Sequence, residues 1–313
     1  LQRSGPHMIG STLLTLALAA LTGMLLSRVT ICFMHAGKSA AFGDFGPFVR
    51  VLATVAAATL AFDLSGRAGL RVRAPWIWPT TMTVFRAVLF GIGARINGSC
   101  TIGTFGRLAH GDIGALATFI GGGLAAFLLP HMKVVDQAPS WIAAAGLWWT
   151  IAVILIALSG VVLLSSRNQR PERLLEVLAL GSVAALLYAA RGQTSLMDAA
   201  AAAVEQGRMH LQGVAVALRP PSRRGGLAAL ATGTFRLSLP QPGRIPYELL
   251  GGALMTSGAL LIPGASDVIA FYGLPSGSPH AVLAWIFVFL TVVATFRLTE
   301  SPIWRRTFPP AEA

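Results

Sequence analysis

The sequence predicts an all-α integral membrane protein: a polytopic helical bundle with two pseudo-repeated halves and re-entrant half-helices. Three observations carry that expectation. Hydrophobic residues make up 54% of the 313-residue chain and charged residues only 12%, against about 25% charged in a soluble domain, and the mean hydropathy is +0.68. Apolar stretches recur near the ~20 residues a helix needs to cross ~30 Å of hydrocarbon. Matching residues recur at a nearly constant offset in the two halves.

In chain order, Ile9–Leu26, Val49–Leu64, Ile113–Leu129, Trp141–Leu164, Leu174–Ala190 and Ala281–Val293 read as candidate spans. Met82–Ile96 and Leu249–Ile262 have a helical pattern and are short; at ~1.5 Å per residue neither crosses a bilayer comfortably. Leu1–His7 reads as a cloning remnant ahead of Met8, and Ile9–Leu26 lacks the small-residue cleavage site of a signal peptide. A net charge of +12 would point to nucleic acid in a soluble protein. Here the arginines gather in short segments, at Arg67, Arg71 and Arg73, at Arg167, Arg170 and Arg173, and at Arg219, Arg223 and Arg224. That is the pattern of the positive-inside rule, and Trp76, Trp78, Trp141 and Trp304 fit an interfacial belt. The expected surface partner is membrane lipid, with no nucleic acid. The two cysteines, far apart, form neither a disulfide framework nor a zinc spacing, and no cofactor or metal is expected.

An offset of 166 pairs Gly98 with Gly264, Phe105 with Phe271, Leu108 with Leu274, Gly111 with Gly277 and Ala115 with Ala281. An offset of 163 pairs Arg28 with Arg191 and Met34 with Met197. Transporters are often built from two such halves with the site between them. The expected organisation is residues 1–7 as remnant, 8–165 as a first membrane repeat carrying both cysteines, 166–172 as linker, 173–304 as a second, inverted repeat, and 305–313 as tail. Under these offsets Cys100 matches Ser266 and Cys32 matches Ser195, so the second half lacks the sulfur. Arg219–Gly226 reads as a second loop.

The site argument centres on Asn97-Gly98-Ser99-Cys100-Thr101-Ile102-Gly103-Thr104-Phe105-Gly106. Asn97-Gly98 is a helix stop, and Ser99 is placed to cap a new helix beginning near Cys100 or Thr101. Because His110-Gly111-Asp112 interrupts soon after, the segment reads as a re-entrant pair of half-helices with Cys100 near the tip; one kinked helix with packing glycines is the alternative. Pro263-Gly264-Ala265-Ser266-Asp267 mirrors it. A helix start aims N–H groups and a positive dipole end at the cavity, which attracts anions. Gly98, Gly103 and Gly106 permit close approach, and Thr101 and Thr104 offer hydroxyls. A thiol among them suits a small anion with a soft terminal sulfur or selenium, while a buried packing cysteine is the plainer reading. Arg95 is a candidate anion contact; Arg28, His35 and Lys38 near Cys32 form an electropositive mouth or a solvated loop. Asp112 and Asp267 read as helix caps. No GxxxxGK[ST] sequence occurs, so any ATP coupling needs another subunit.

The run Gly91–Leu108 followed by Gly111-Asp112, the Cys32 segment with Gly43-Asp44 downstream, and Leu261–Asp267 running on to Gly273-Leu274-Pro275 resemble the YeeE/YedE sulfur-transport family, most specifically around Cys100. The resemblance implies an hourglass-shaped bacterial inner-membrane permease for thiosulfate, not an enzyme. Cys100 would be the central relay thiol and Cys32 a second one farther along the path, each passing the ion by S–H···S contacts. The resemblance also implies a cytoplasmic TusA-like sulfur carrier as partner. This chain departs from family members with a third cysteine in the second half, since Ser266 or Asp267 stands there. A selenium-compound or other small-anion transporter, a membrane thiol-dependent sulfurtransferase or oxidoreductase, and a non-transporting anchor subunit are the competing readings.

Overall fold

The computed structural model describes residues 6–29, 31–67, 77–129, 153–154, 158, 171–191, 237–261 and 265–299. They are mostly helical and contain no strand; one isolated parallel bridge joins Asp112 to Ser238. The helices are α1 (Pro6–Arg28), α2 (Phe33–Ala41), α3 (Gly46–Arg67), α4 (Thr81–Asn97), α5 (Thr101–Ala109), α6 (Ala115–Leu128), α7 (Pro171–Arg191), α8 (Ile245–Leu261), α9 (Ser266–Val268) and α10 (Pro279–Thr299). A π-helical turn, Ile269–Gly273, continues α9. Seven of the eight predicted apolar segments fall on α1, α3, α4, α6, α7, α8 and α10. Nearly all of the eighth, Trp141–Leu164, lies outside the described residues, as do 166–170, Ser195, Met197, Arg219–Gly226, Gly264 and Trp304. Among the described residues two helices are long and apolar enough to cross a membrane, α3 over Gly46–Gly66 and α10 over Pro279–Thr299.

Small residues set how the helices meet. Gly93 of α4 lies against Gly251, Leu254 and Met255 of α8, and Gly258 of α8 lies against Arg86 and Phe90 of α4. The two helices are therefore antiparallel, and α8 begins where α4 ends. Gly91 lies against Val288 and Thr291 of α10, while the His280 N–H bonds Ile77 O at 3.3 Å; α10 thus runs parallel to α4. Gly37 lies against Val292, and Arg297 Nε donates to Ala41 O at 3.3 Å, so α2 runs outward alongside α10. Gly121 of α6 and Gly252 of α8 face Leu249 O and Thr118 O so closely that neither has room for a β-carbon. Small residues letting backbones touch are the usual basis of close helix pairing where the hydrophobic effect is weak.

Two short helices enter this frame from opposite ends. The last turn of α5 joins the segment ahead of α8, where Ile113 N–H bonds Ser238 O and Ser238 N–H bonds Gly111 O. The π turn instead joins the segment ahead of α4, where Ile77 N–H donates to Ser278 Oγ at 3.3 Å. Their outer turns repeat bond for bond. Gly111 N–H to Leu108 O, Asp112 N–H to Arg107 O and Ala115 N–H to Asp112 O recur as Gly277 to Leu274, Ser278 to Gly273 and Ala281 to Ser278. Gly111 and Gly277 carry the turn at φ 98° and 70°, where glycine alone is unstrained.

At their inner ends the register differs by one. Thr104 N–H bonds Cys100 O as Ile269 N–H bonds Ala265 O, and Cys100 and Ala265 share a backbone conformation, φ −79° ψ 178° against φ −74° ψ −179°. The extra residue enters at the π turn, a common way to insert one position into a helix. Ala265 is therefore the counterpart of Cys100, and Ser266 that of Thr101. This corrects the uniform offset that set Ser266 against Cys100.

The α6–α8 contact gives a direct test. Gly252→Val forces a branched side chain into Thr118 O and should cost at least ~1–3 kcal/mol, read as a lower melting temperature of the detergent-purified chain. Gly66→Ala, where a β-carbon meets nothing within 4 Å, should leave it near the wild-type value; equal losses would mean the seam is not tight.

Candidate functional site at a buried thiol pair

The loop between α4 and α5 is held by one amide. Asn97, the last residue of α4, is 1% exposed. Its Nδ2 donates to Ser99 O at 2.9 Å, to Ser99 Oγ at 3.0 Å and to Thr104 Oγ1 at 3.0 Å. Its Oδ1 accepts from Thr118 Oγ1 of α6 at 2.6 Å. Ser99 Oγ and Thr104 Oγ1 lie 2.9 Å apart, and Thr104 Oγ1 also donates to Cys100 O at 3.0 Å. Gly98, at φ 77°, ends α4 in the left-handed conformation that favours glycine as a helix stop. Asn97, Ser99 and Thr104 thus spend their polar groups on one another and on Thr118, and they position the loop. The expected cap at Ser99 is corrected: the N-cap of α5 is Cys100, because Ser99 is turned back toward Asn97.

That loop sets Cys100 against Cys32. Cys32 is likewise an N-cap, of α2, in extended conformation. The two sulfurs are 3.3 Å apart, both thiols are free, and the residues are 1% and 8% exposed. The arrangement is reciprocal. The Cys100 sulfur faces the backbone N–H groups of Phe33 and Gly103, and the Cys32 sulfur faces those of Cys100 and His35. Each thiol therefore sits over the first turn of its own helix and the start of the other. Gly103 makes the contact possible, since a β-carbon there would lie 2.7 Å from Cys32 Sγ. The expectation that Cys32 stands farther along a path from Cys100 is corrected: the two form one site.

The start of α9 comes to the same place. Ala265 caps it without a side-chain bond, and Ser266 beside it faces the Cys100 sulfur. Among the described residues, Ser266 Oγ is buried with no partner besides that sulfur, and Thr101 Oγ1 at the start of α5 is buried with none. The first turns of α2, α5 and α9 carry N–H groups that their own helices leave unsatisfied, and neither α2 nor α5 has an acid there. Asp267, expected as a cap, is buried and accepts from Tyr188 OH of α7 at 2.6 Å.

Arg95 is directed elsewhere. Its guanidinium lies 4.3 Å from the Phe296 ring centre and donates to Thr299 Oγ1 at 3.2 Å, so it packs on the end of α10. Lys38 Nζ lies 5.8 Å from the same ring centre, and His35 and Lys38 are exposed on α2. Arg28 pairs with Glu176 at 3.7 Å. Asp112 holds Gly114 N–H at 3.0 Å just before α6 and also binds Arg107.

No protein-family model and no curated protein matches this chain. The site therefore has to be read from its own groups: two polarizable thiols, the hydroxyls of Thr101 and Ser266 and three helix starts, with no arginine or lysine side chain among the described residues bonded to the sulfurs. Sequence reasoning missed two contributors, Thr118 as the anchor of Asn97 and Glu248 as the partner of Arg107. For Glu248 a signal existed, an acid in the first turn of an otherwise apolar helix in a chain with 12 acids; for Thr118 none did.

The Gly103 contact is testable with an oxidant. Copper-phenanthroline should close a Cys32–Cys100 disulfide rapidly in the wild type, read as loss of both thiols to a maleimide label. Gly103→Val should slow that loss about tenfold or more, the consequence of ~1.4 kcal/mol lost from the close approach. Equal rates would show that the sulfurs do not depend on the glycine.

Proposed function

We propose that this chain is a polytopic inner-membrane permease that takes up thiosulfate or a closely related small sulfur- or selenium-containing anion, with Cys32 and Cys100 as paired S–H donors. The single observation that carries the reading is the buried thiol pair set between helix starts. It offers a soft donor to a terminal sulfur and N–H dipoles to the negative charge. The anion's charge is met without a cation at the centre, which suits passage better than retention. Thr101 adds a hydroxyl with no partner among the described residues, and Ser266 one that touches only the Cys100 sulfur.

The membrane setting has its own support. Large apolar side chains are exposed on most helices: Leu21 and Met24 on α1, Leu60 and Leu64 on α3, Phe85 and Ile92 on α4. Ile120, Leu124, Phe127 and Leu128 on α6, and Leu290 and Leu298 on α10, continue the pattern. A monomer in water rarely exposes so much, whereas hydrocarbon solvates it. In that setting α5 and α9 with its π turn act as re-entrant half-helices from opposite faces, the arrangement of an inverted repeat. Irregular backbone at such depth is tolerated where it lines a cavity. A cytoplasmic TusA-like carrier would then receive the sulfur.

A second reading, a thiol-dependent sulfurtransferase or oxidoreductase, is favoured by the 3.3 Å sulfur contact. One set of strains separates the two. A bacterium lacking its own sulfate and thiosulfate permeases should grow on thiosulfate when it carries this chain. Cys100→Ala and Cys32→Ala should each lower the initial uptake rate about 10–100-fold, the worth of one hydrogen bond to a charged group at ~1.5–3 kcal/mol. Growth that survives Cys100→Ala would sink the permease reading. A persulfide or disulfide trapped during turnover would favour the enzyme.

A further inference from the structure

We infer that Arg107 and Glu248 form a second anion station, linked to a proton, at the outer end of α5; the inference rests on the permease reading above. Arg107 lies seven positions after Cys100, two helical turns or ~10 Å farther out. That spacing returns to the same side of the helix, so Arg107 continues the stripe of Cys100 and Gly103. Beside it Gly106 faces open space, with nothing within 4 Å of a β-carbon there. An anion leaving the thiol pair along α5 meets Arg107 next.

The cluster around Arg107 is built and incompletely satisfied. Its Nε donates to Asp112 Oδ2 at 2.8 Å, and its Nη2 reaches Asp112 Oδ2 and Glu248 Oε1. Its Nη1 is buried with no hydrogen-bond partner among the described residues. The Glu248 side chain is 3% exposed, and its Oε2 is also buried with no partner. Arg244 Nη2 stands 3.8 Å from Glu248 Oε1 and is half exposed. Gly114 leaves the space, since a β-carbon there would fall 2.9 Å from Glu248 Oε2. A purely structural quartet of two guanidiniums and two carboxylates would pair its donors and acceptors; this one keeps one donor and one acceptor in reserve.

Those two atoms define the chemistry. The free Nη1 edge suits an oxyanion, which guanidinium binds through paired N–H donors. At the thiols the sulfur end of the ion is held; at Arg107 its oxygens would be. When Arg107 turns to the anion, Glu248 loses its closest cation while still buried. An uncompensated buried carboxylate is strongly unfavourable, and taking up a proton on Oε2 removes the charge. The proton comes from the water at that end of the molecule and continues with the ion. One proton therefore accompanies each anion past this point. Among the described residues, the other charged groups about Glu248 are Asp112 from the turn, Arg244 ahead of α8 and Arg107 itself. His110 Nδ1 is engaged with Gly106 O at 2.7 Å, α6 carries no charged residue, and Arg95 of α4 is turned to Thr299.

The test uses the full chain in phosphatidylethanolamine–phosphatidylglycerol vesicles, with the membrane potential clamped by potassium and valinomycin. Labelled thiosulfate and a trapped pH dye are followed together. For one proton per ion, wild-type accumulation should rise about tenfold for each unit of inward acid gradient, and a thiosulfate pulse should acidify the lumen. In Glu248→Gln the ratio of accumulation with and without the gradient should fall to about one, and the acidification should vanish. In Arg107→Lys, which keeps the charge and loses the planar fork, KM for thiosulfate should rise about tenfold or more. Wild-type uptake that ignores the gradient and leaves the lumen pH unchanged overturns the inference, whatever the variants do. So does a Glu248→Gln protein as gradient-dependent as the wild type. A wild type that carries neither thiosulfate nor any other sulfur or selenium oxyanion overturns the permease reading as well, which separates the two failures.

Discussion

Three helices begin inside this protein, at Cys32, Cys100 and Ala265, and their free N–H groups have to be faced by something. Elsewhere a serine, threonine or aspartate side chain would cap such a start. Here no side-chain oxygen caps any of the three. Two sulfurs take that place, weak and polarizable acceptors that leave most of the positive field unspent. Much of the surrounding geometry serves this arrangement. Gly103 admits the Cys32 sulfur, α2 and α5 leave the pair toward the same end, and α9 approaches from the opposite end.

The polar groups near the pair fall into two sets with different duties. Asn97 binds Ser99, Thr104 and Thr118 and so fixes the α4–α5 loop against α6. A buried amide with its donors and acceptor used is rigid, and freeing any of its partners would leave an expensive unsatisfied group. Among the described residues the Thr101 hydroxyl has no partner, and that of Ser266 has only the Cys100 sulfur. The rigid set therefore stabilises the frame, and under the permease reading the other set, with the thiols, is what a passing ion would meet.

Among the described residues, cationic side chains stay away from the thiols. Arg95 packs on Phe296, Arg297 meets the carbonyl end of α2, and Arg107 is tied to Asp112 and Glu248. The attraction at the centre then comes from backbone dipoles, each equivalent to a fraction of a charge. A full guanidinium in a low-dielectric interior would hold a dianion far more tightly. Under the permease reading, that division lets the anion enter the centre and leave it.

Composition and hydrophobic length alone determined the helical class and, to within a few residues, seven of its long apolar segments, because burial of apolar residues in a helix leaves a run in the chain. The stop at Gly98 and the helix start at Cys100 were also legible, since a left-handed glycine and a following extended residue are local properties. The recurrence of the two short helices could be read in outline from Gly111 and Gly277. Its one-residue slip could not, because a π turn leaves no mark in residue types. Only the tertiary structure decided that Cys32 meets Cys100, a contact across 68 positions, and that Arg95 turns away from them. It alone decided that Asn97 and Thr104 brace the loop and that Glu248 finds Arg107 across 141 positions. Each of these depends on which face of one helix lies against another. That follows from packing glycines and alanines at the seams, whose partners are set by the whole bundle rather than by neighbours in the chain.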